Sequence, residues 1–172
     1  MTYSDVDTPS VLIDLDIVEA NIQKYQRYCN SIGLNLRPHI KTHKIPALAK
    51  LQLAEGAVGI TCQKISEAEA IISEGGIDDI LITYNIIGKK KLMRLLALAQ
   101  QVKLSVVADN LTCISGISEV FAKSNAELTV LVECDTGAMR CGVVNPRQAL
   151  DLAMAIESLP GINFGGLMTY PP

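Results

Sequence analysis

The sequence predicts an α/β protein in which a parallel sheet, covered by helices, forms part of a (β/α)8 barrel. Three observations carry this. Strand-like and helical hydrophobic periods alternate along the whole chain, no GxGxxG or GxxxxGK[ST] loop of an open sheet is present, and reactive polar residues recur at the carboxyl ends of the strand-like runs.

In chain order, "SVLIDL" reads as a first strand and is followed by Leu15, Val18, Ile22, Tyr25, Cys29 and Ile32 at helical spacing. Asp16 and Glu19 suit the start of that helix. Strand-like runs then recur as "LNLRPHI", "AVGITC", "DILITY", "KLSVVAD", "ELTVLVECD" and "FGGLMTY", separated by helical stretches, for seven strands and six helices. Ser66 with Glu69 reads as a capping box, Gly75 and Gly76 as a helix stop, and Asn145 with Pro146 as a cap and first helical residue. Regular alternation with apolar strands implies parallel pairing beneath helices.

Composition narrows the function classes. The 172 residues carry 15 Lys and Arg against 18 Asp and Glu, a formal net charge of -3, and 49% apolar residues. A packed core is expected, and there is no basic footprint for nucleic acid or anionic lipid. The N-terminus has no leader pattern and no apolar run approaches a membrane span, so a cytoplasmic protein acting on a small molecule is expected. The five cysteines are scattered without a CxxC pair, which favours reduced thiols. His39 and His43 are the only histidines, and the prolines and lysines around them argue against a metal pair, so no metal ligand is assigned.

Candidate chemistry gathers where a barrel keeps its active site. Lys41 and His43, Cys62 and Gln63, Tyr84 and Asn85, Asp109 and Asn110, Asp135 to Arg140, and Tyr170 all follow strand-like runs. Cys62, Cys134 and Cys141 in apolar surroundings read as small core residues, and Lys89, Lys90, Lys91 and Arg94 as a solvated helix start with no assigned role. In "RPHIKTHK", a lysine crowded by Arg37 and Lys44 at an apolar barrel mouth is expected to lose its proton more readily than usual. A neutral lysine can form a Schiff base with a carbonyl compound. Spacing alone leaves Lys41 and Lys44 as alternatives, and a Schiff-base lysine and one that pairs with a ligand phosphate as alternative roles.

"RPHIKTHK", "VLVECDTGAMRCGV" and "GLMTY", in this order, together with "DTPSVLIDLDIVEANI", resemble the pyridoxal-phosphate enzymes with an alanine-racemase type barrel, and among them the D-threonine aldolase and D-serine dehydratase branch. The resemblance covers essentially the whole chain. It implies that Lys41 holds pyridoxal 5'-phosphate as an internal aldimine. It also implies that Arg140 reaches the phenolic oxygen of the cofactor ring, that Tyr170 lies against that ring, and that His39, with Arg37, lines the pocket. His43 becomes a candidate proton carrier, with an indirect role as the alternative.

The resemblance further implies an amino-acid lyase acting on D-3-hydroxy amino acids. The alternatives are D-serine dehydratase or 3-hydroxy-D-aspartate lyase chemistry, or a non-catalytic cofactor-binding protein of the same barrel type. Residues 1–172 would be the N-terminal barrel domain, with one strand shared with a second domain and about six of eight barrel strands. The last strands and the C-terminal β domain would be absent. A divalent metal, Mn or Zn, and a homodimer are expected of the intact protein only.

Overall fold

The computed structural model describes residues 2–171. Six helices follow one another along the chain: α1 (Leu15–Ser31), α2 (Pro46–Ala54), α3 (Ile65–Ser73), α4 (Lys89–Ala99), α5 (Leu111–Phe121) and α6 (Pro146–Ser158). From α2 onward each helix is followed by a strand: β1 (Ile60–Cys62), β2 (Asp79–Ile82), β3 (Lys103–Ala108), β4 (Leu128–Cys134) and β5 (Ile162–Thr169). All neighbours are parallel, in the order β1-β2-β3-β4-β5.

That order decides between the two architectures open to a βα series. A doubly wound sheet reverses its strand order part-way, whereas an unbroken sequential order with crossovers of one hand puts every helix on the same face. The strands accordingly have two different faces. Cys62, Ile82, Val106 and Val130 stand in register across β1 to β4 and join the helices in one buried core with Leu95, Ile114, Phe121 and Ile156. The opposite face carries Thr61, Leu81, Ser105 and Thr129 in register, with Glu133 near the end of β4. This is the mixed, partly polar lining of a barrel interior.

Two of the seven expected strands are absent from the sheet. "SVLIDL" pairs with no strand among the described residues, its Leu15 already opens α1, and Val11 is 92% exposed. "LNLRPHI" lies alongside β1, held by a bridge between His39 and Thr61 and by amide bonds from Val58 to the Leu36 carbonyl (2.9 Å) and from Thr61 to the Pro38 carbonyl (2.8 Å). Pro38 has no N–H with which to continue the ladder.

Helix ends follow local chemistry, with two corrections. Asn145 caps α6 by accepting from the Gln148 amide, with Pro146 in the first turn, as expected. For α1 the cap is Asp14, two residues before the expected Asp16, and it accepts from the Ile17 amide. The Ser66–Glu69 box is not formed. The cap position is Lys64, two residues before Ser66, and Glu67 rather than Glu69 reaches back, to the Gln63 amide at 2.9 Å. In "FGGLMTY" the two glycines make a bulge: the register with β4 skips Gly165, where a Cβ would lie 2.3 Å from the Thr129 side chain, and Gly166 adopts φ +117.

Candidate active site

Beyond the carboxyl ends of the strands is a cavity of about 480 Å³, lined among others by His39, Lys41, Thr83, Glu133, Arg140 and Tyr170. Each side chain is placed by local backbone chemistry. Lys41 sits in a single 3-10 turn, Ile40–Thr42, anchored by the fully buried Ile40. The His39 ring closes that turn, its Nδ1 accepting the Lys41 backbone N–H at 3.3 Å. An accepting Nδ1 leaves the proton of the neutral ring on Nε2, which faces the Thr83 hydroxyl at 3.3 Å; that hydroxyl in turn donates to the Cys62 carbonyl at 3.4 Å. Burial holds the His39 pKa below its ordinary value, and the Lys41 charge pushes in the same direction.

Arg140 is delivered by the loop after β4. Asp135 turns the chain by accepting from the Gly137 and Met139 amides at 2.9 and 3.1 Å, which also lowers its own pKa. The loop is pinned back where Asp109 accepts from the Gly142 amide at 2.9 Å. Gly142 is required there: its φ is +106, and a Cβ would stand 2.5 Å from the Asp135 nitrogen. The Thr136 and Thr169 hydroxyls, 2.7 Å apart, tie the loop to the end of β5. The outcome is a convergence on Tyr170, whose ring centroid lies 4.8 Å from the Arg140 guanidinium carbon and 5.7 Å from the Lys41 amine.

Other residues singled out in the sequence stand elsewhere. Arg37 does not line this cavity. Its guanidinium pairs with Asp79 at 2.8 Å, at the amino end of β2, where Lys103 also reaches the same carboxylate at 2.9 Å. Burial raises the Asp79 pKa, but the two cations outweigh it and hold the carboxyl below its ordinary value. Lys44 pairs with Glu67 at 3.4 Å. Lys41 is thus the lysine of "RPHIKTHK" that faces the cavity.

His43 is also outside the cavity. Its Nδ1 accepts the Ile45 N–H at 3.0 Å just before α2, and burial depresses its pKa. Its Nε2 and the Gln52 Oε1 are both buried, and the Gln52 side chain beside the ring offsets part of that depression. Of the three cysteines expected in the core, Cys62 is a buried core thiol, its pKa pushed up by burial to about 12. Cys134 and Cys141 are only partly buried, and Cys141 lines the cavity, where burial with the Glu133 carboxylate raises its pKa.

Among the lining residues that sequence reading missed, Glu133 and Thr83 make the contacts that matter most to the site. Glu133 is 4% exposed and accepts from the Cys141 thiol at 2.9 Å; its signal was a lone carboxylate at the end of the apolar run "LTVLVE". Thr83 has no comparable signal, because its contact with His39 spans 44 residues. Among the described residues no group of three or more His, Cys, Asp or Glu is arranged to hold a metal ion, and no helix is long and apolar enough to cross a membrane.

Chemically, the cavity offers a primary amine, a guanidinium and an aromatic face, with a neutral imidazole behind the amine. That set fits a flat, anionic ring bearing a carbonyl group. Residues 13–172 match the family described as "Alanine racemase, N-terminal domain". The chain belongs to this alanine racemase N-terminal domain family. Within it, the chain is 44% identical to a D-threonine aldolase of an Arthrobacter species over 165 residues, 96% of this chain and 43% of that protein. It is 37% identical to 3-hydroxy-D-aspartate aldolase of Paracoccus denitrificans over 172 residues, 99% of this chain and 44% of that protein. The crystal structure of D-threonine aldolase from Filomicrobium marinum superposes with a TM-score of 0.92 at 41% identity, over 96% of this chain and 44% of that one. The chain therefore spans less than half the length of these alanine racemase-type relatives, and its incomplete barrel is the N-terminal domain fold.

Proposed function

We propose that this chain supplies the cofactor-binding barrel of a pyridoxal-phosphate-dependent lyase acting on D-3-hydroxy amino acids, in the manner of a D-threonine aldolase. The observation that carries the reading is the convergence of Lys41 and Arg140 on the face of Tyr170. The similarity to D-threonine and 3-hydroxy-D-aspartate aldolases supports the reaction class.

When bound, pyridoxal phosphate supplies the electron sink that cleavage next to an amino-acid Cα requires. The residues of the chain do the rest. The Lys41 amine would be the carbonyl-reactive nucleophile that holds the cofactor, and it is the group placed to carry a proton. Arg140 would offer a rigid donor to the phenolic oxygen, and Tyr170 would supply an aromatic face for the ring. His39 holds the Lys41 backbone and, being neutral, adds no second positive charge beside the amine. His43 acts at one remove, through the Ile45 amide that fixes the path from Lys41 into α2. A divalent metal and a homodimer belong to this reading of the intact protein.

Borohydride reduction of the cofactor-loaded intact protein, followed by peptide mapping, is expected to place the pyridoxyl group on Lys41. D-Threonine is expected to yield glycine and acetaldehyde. Label on Lys44 with none on Lys41 would overturn the assignment, and turnover confined to L-amino acids would overturn the substrate class.

A further inference from the structure

A second cavity, of about 300 Å³, opens beyond the carboxyl ends of β1 and β2, between the starts of α3 and α4. Four basic side chains from three parts of the chain line it: Lys44, Lys64, Lys91 and Arg94. It shares Gln63 and Tyr84 with the cavity that holds Lys41, so the two adjoin. Read from the sequence, Lys91 and Arg94 belonged to a solvated helix start. In the fold, Lys91 lies 5.4 Å over the Tyr84 ring and Arg94 is clasped by Glu69 on α3, with one N–O distance of 2.7 Å.

The charges at this site do not balance. Glu67 is occupied by Lys44 and by the Gln63 amide, and Glu69 by Arg94. Lys64 and Lys91 have no carboxylate within ion-pair distance among the described residues. Two exposed amines without a carboxylate partner therefore remain beside this cavity, a local excess of positive charge that attracts anions. The helix starts add to this. Neither α3 nor α4 receives a side-chain cap, and α4 opens on three consecutive lysines, an arrangement that its own dipole disfavours and a bound anion would offset.

We propose that this second cavity is a binding site for a small oxyanion, held chiefly by Lys64 and Lys91. The oxyanion has two possible sources of the same chemistry: the distal carboxylate of a dicarboxylic D-3-hydroxy amino acid, entering from the Lys41 side past Gln63 and Tyr84, or a free anion such as inorganic phosphate. The first source rests on the lyase reading above; the site itself does not.

The test uses the intact protein with its cofactor bound, so that the cofactor's own phosphate site is filled, and compares it with the double variant Lys64→Gln, Lys91→Gln. Titration calorimetry with inorganic phosphate and with succinate, an unreactive dicarboxylate, is expected to show saturable binding that weakens roughly tenfold or more in the variant. If the occupant is the substrate's carboxylate, the variant raises KM for 3-hydroxy-D-aspartate by a similar factor, leaves D-threonine unchanged, and makes succinate a weaker competitor. Unchanged kinetics with lost phosphate binding assign the site to a free anion. The absence of saturable binding of both probes to the unmodified protein, or binding that the variant leaves intact, would overturn the site. Absence of turnover with either amino acid would overturn the lyase reading alone, since calorimetry still decides the site.

Discussion

Cys141 donates its thiol hydrogen to Glu133 across 2.9 Å, joining the end of β4 to the loop that carries Arg140. The carboxylate is 4% exposed, and this thiol is its one hydrogen-bond donor among the described residues. Burial and the neighbouring carboxylate both raise the Cys141 pKa, while Arg140 pulls the other way. Replacing Glu133 with Gln removes a negative charge that opposes the thiolate, so the pKa should fall. Ellman's reagent is expected to react with Cys141 up to about tenfold faster in Glu133→Gln at fixed pH. An unchanged or slower rate would mean that the carboxylate does not govern the thiol.

Arg140→Lys keeps the charge and loses the planar fork. If the guanidinium donates to the phenolic oxygen of the cofactor, the variant of the intact enzyme should keep its cofactor but lose about ten- to a thousand-fold in kcat, the range for removing one preorganised donor. The absorbance maximum of the lysine-bound cofactor should shift as well. Full rate with an unaltered spectrum would leave Arg140 with a purely structural task over Tyr170.

His39 and His43 predict how stability responds to mild acid. Both folded pKa values lie below the ordinary 6.5, with burial as the largest cause in each case. The unfolded chain therefore takes up protons first as pH falls. Stability is full above about 6.5, declines as pH drops from there toward the folded values, and levels off below them. The carboxylates Asp79 and Glu69, whose pKa values are lowered from 3.8 and 4.5, add their own loss only at lower pH. Urea midpoints at pH 7.5 and 5.5 should therefore differ. The difference should shrink in His39→Asn, His43→Asn, in which the amide oxygen can replace each Nδ1 acceptor. A variant with the same pH slope would place the effect elsewhere.

The 172-residue chain studied by itself is expected to associate. Val11, Leu12, Leu167 and Met154 are 92%, 60%, 62% and 62% exposed, and the apolar hollow between α6 and β5 contains Val144, Leu150 and Phe164. Sheet edges and apolar faces of this kind are templates for other chains. Light scattering should report oligomers, and added pyridoxal phosphate should bind weakly without steady cleavage of D-threonine. A monodisperse, active monomer would show that a complete site exists within these residues.

Much of this was legible from spacing. The Asn145–Pro146 cap, all six helices, the runs that became β1 to β5 and the reactive residues beyond them depend on interactions within a few residues, which a linear pattern records. The two failed strands show the limit of that pattern. "SVLIDL" and "LNLRPHI" have strand composition, but strand status depends on a partner's N–H and C=O groups, and composition does not show whether a partner is in reach.

The same division runs through the candidate site. Hydrophobic period, turn residues and the lysine motif were enough to specify a parallel α/β chain with an amine at a strand end, because each is a short-range property. Which cations face the cavity was a question of tertiary structure. Arg37 finds its counter-ion at Asp79, and Lys44 finds Glu67, so only Lys41 of that cluster reaches the lining. Strand order, which separates a barrel from a doubly wound sheet, was settled in the same way, since it consists of pairings between segments about twenty or more residues apart. So were the burial of Glu133, the seat of His43 outside the cavity and the placing of Lys64 and Lys91 on one cavity wall. Charge and burial are set by what the folded chain brings near, and that is not written in the order of the residues.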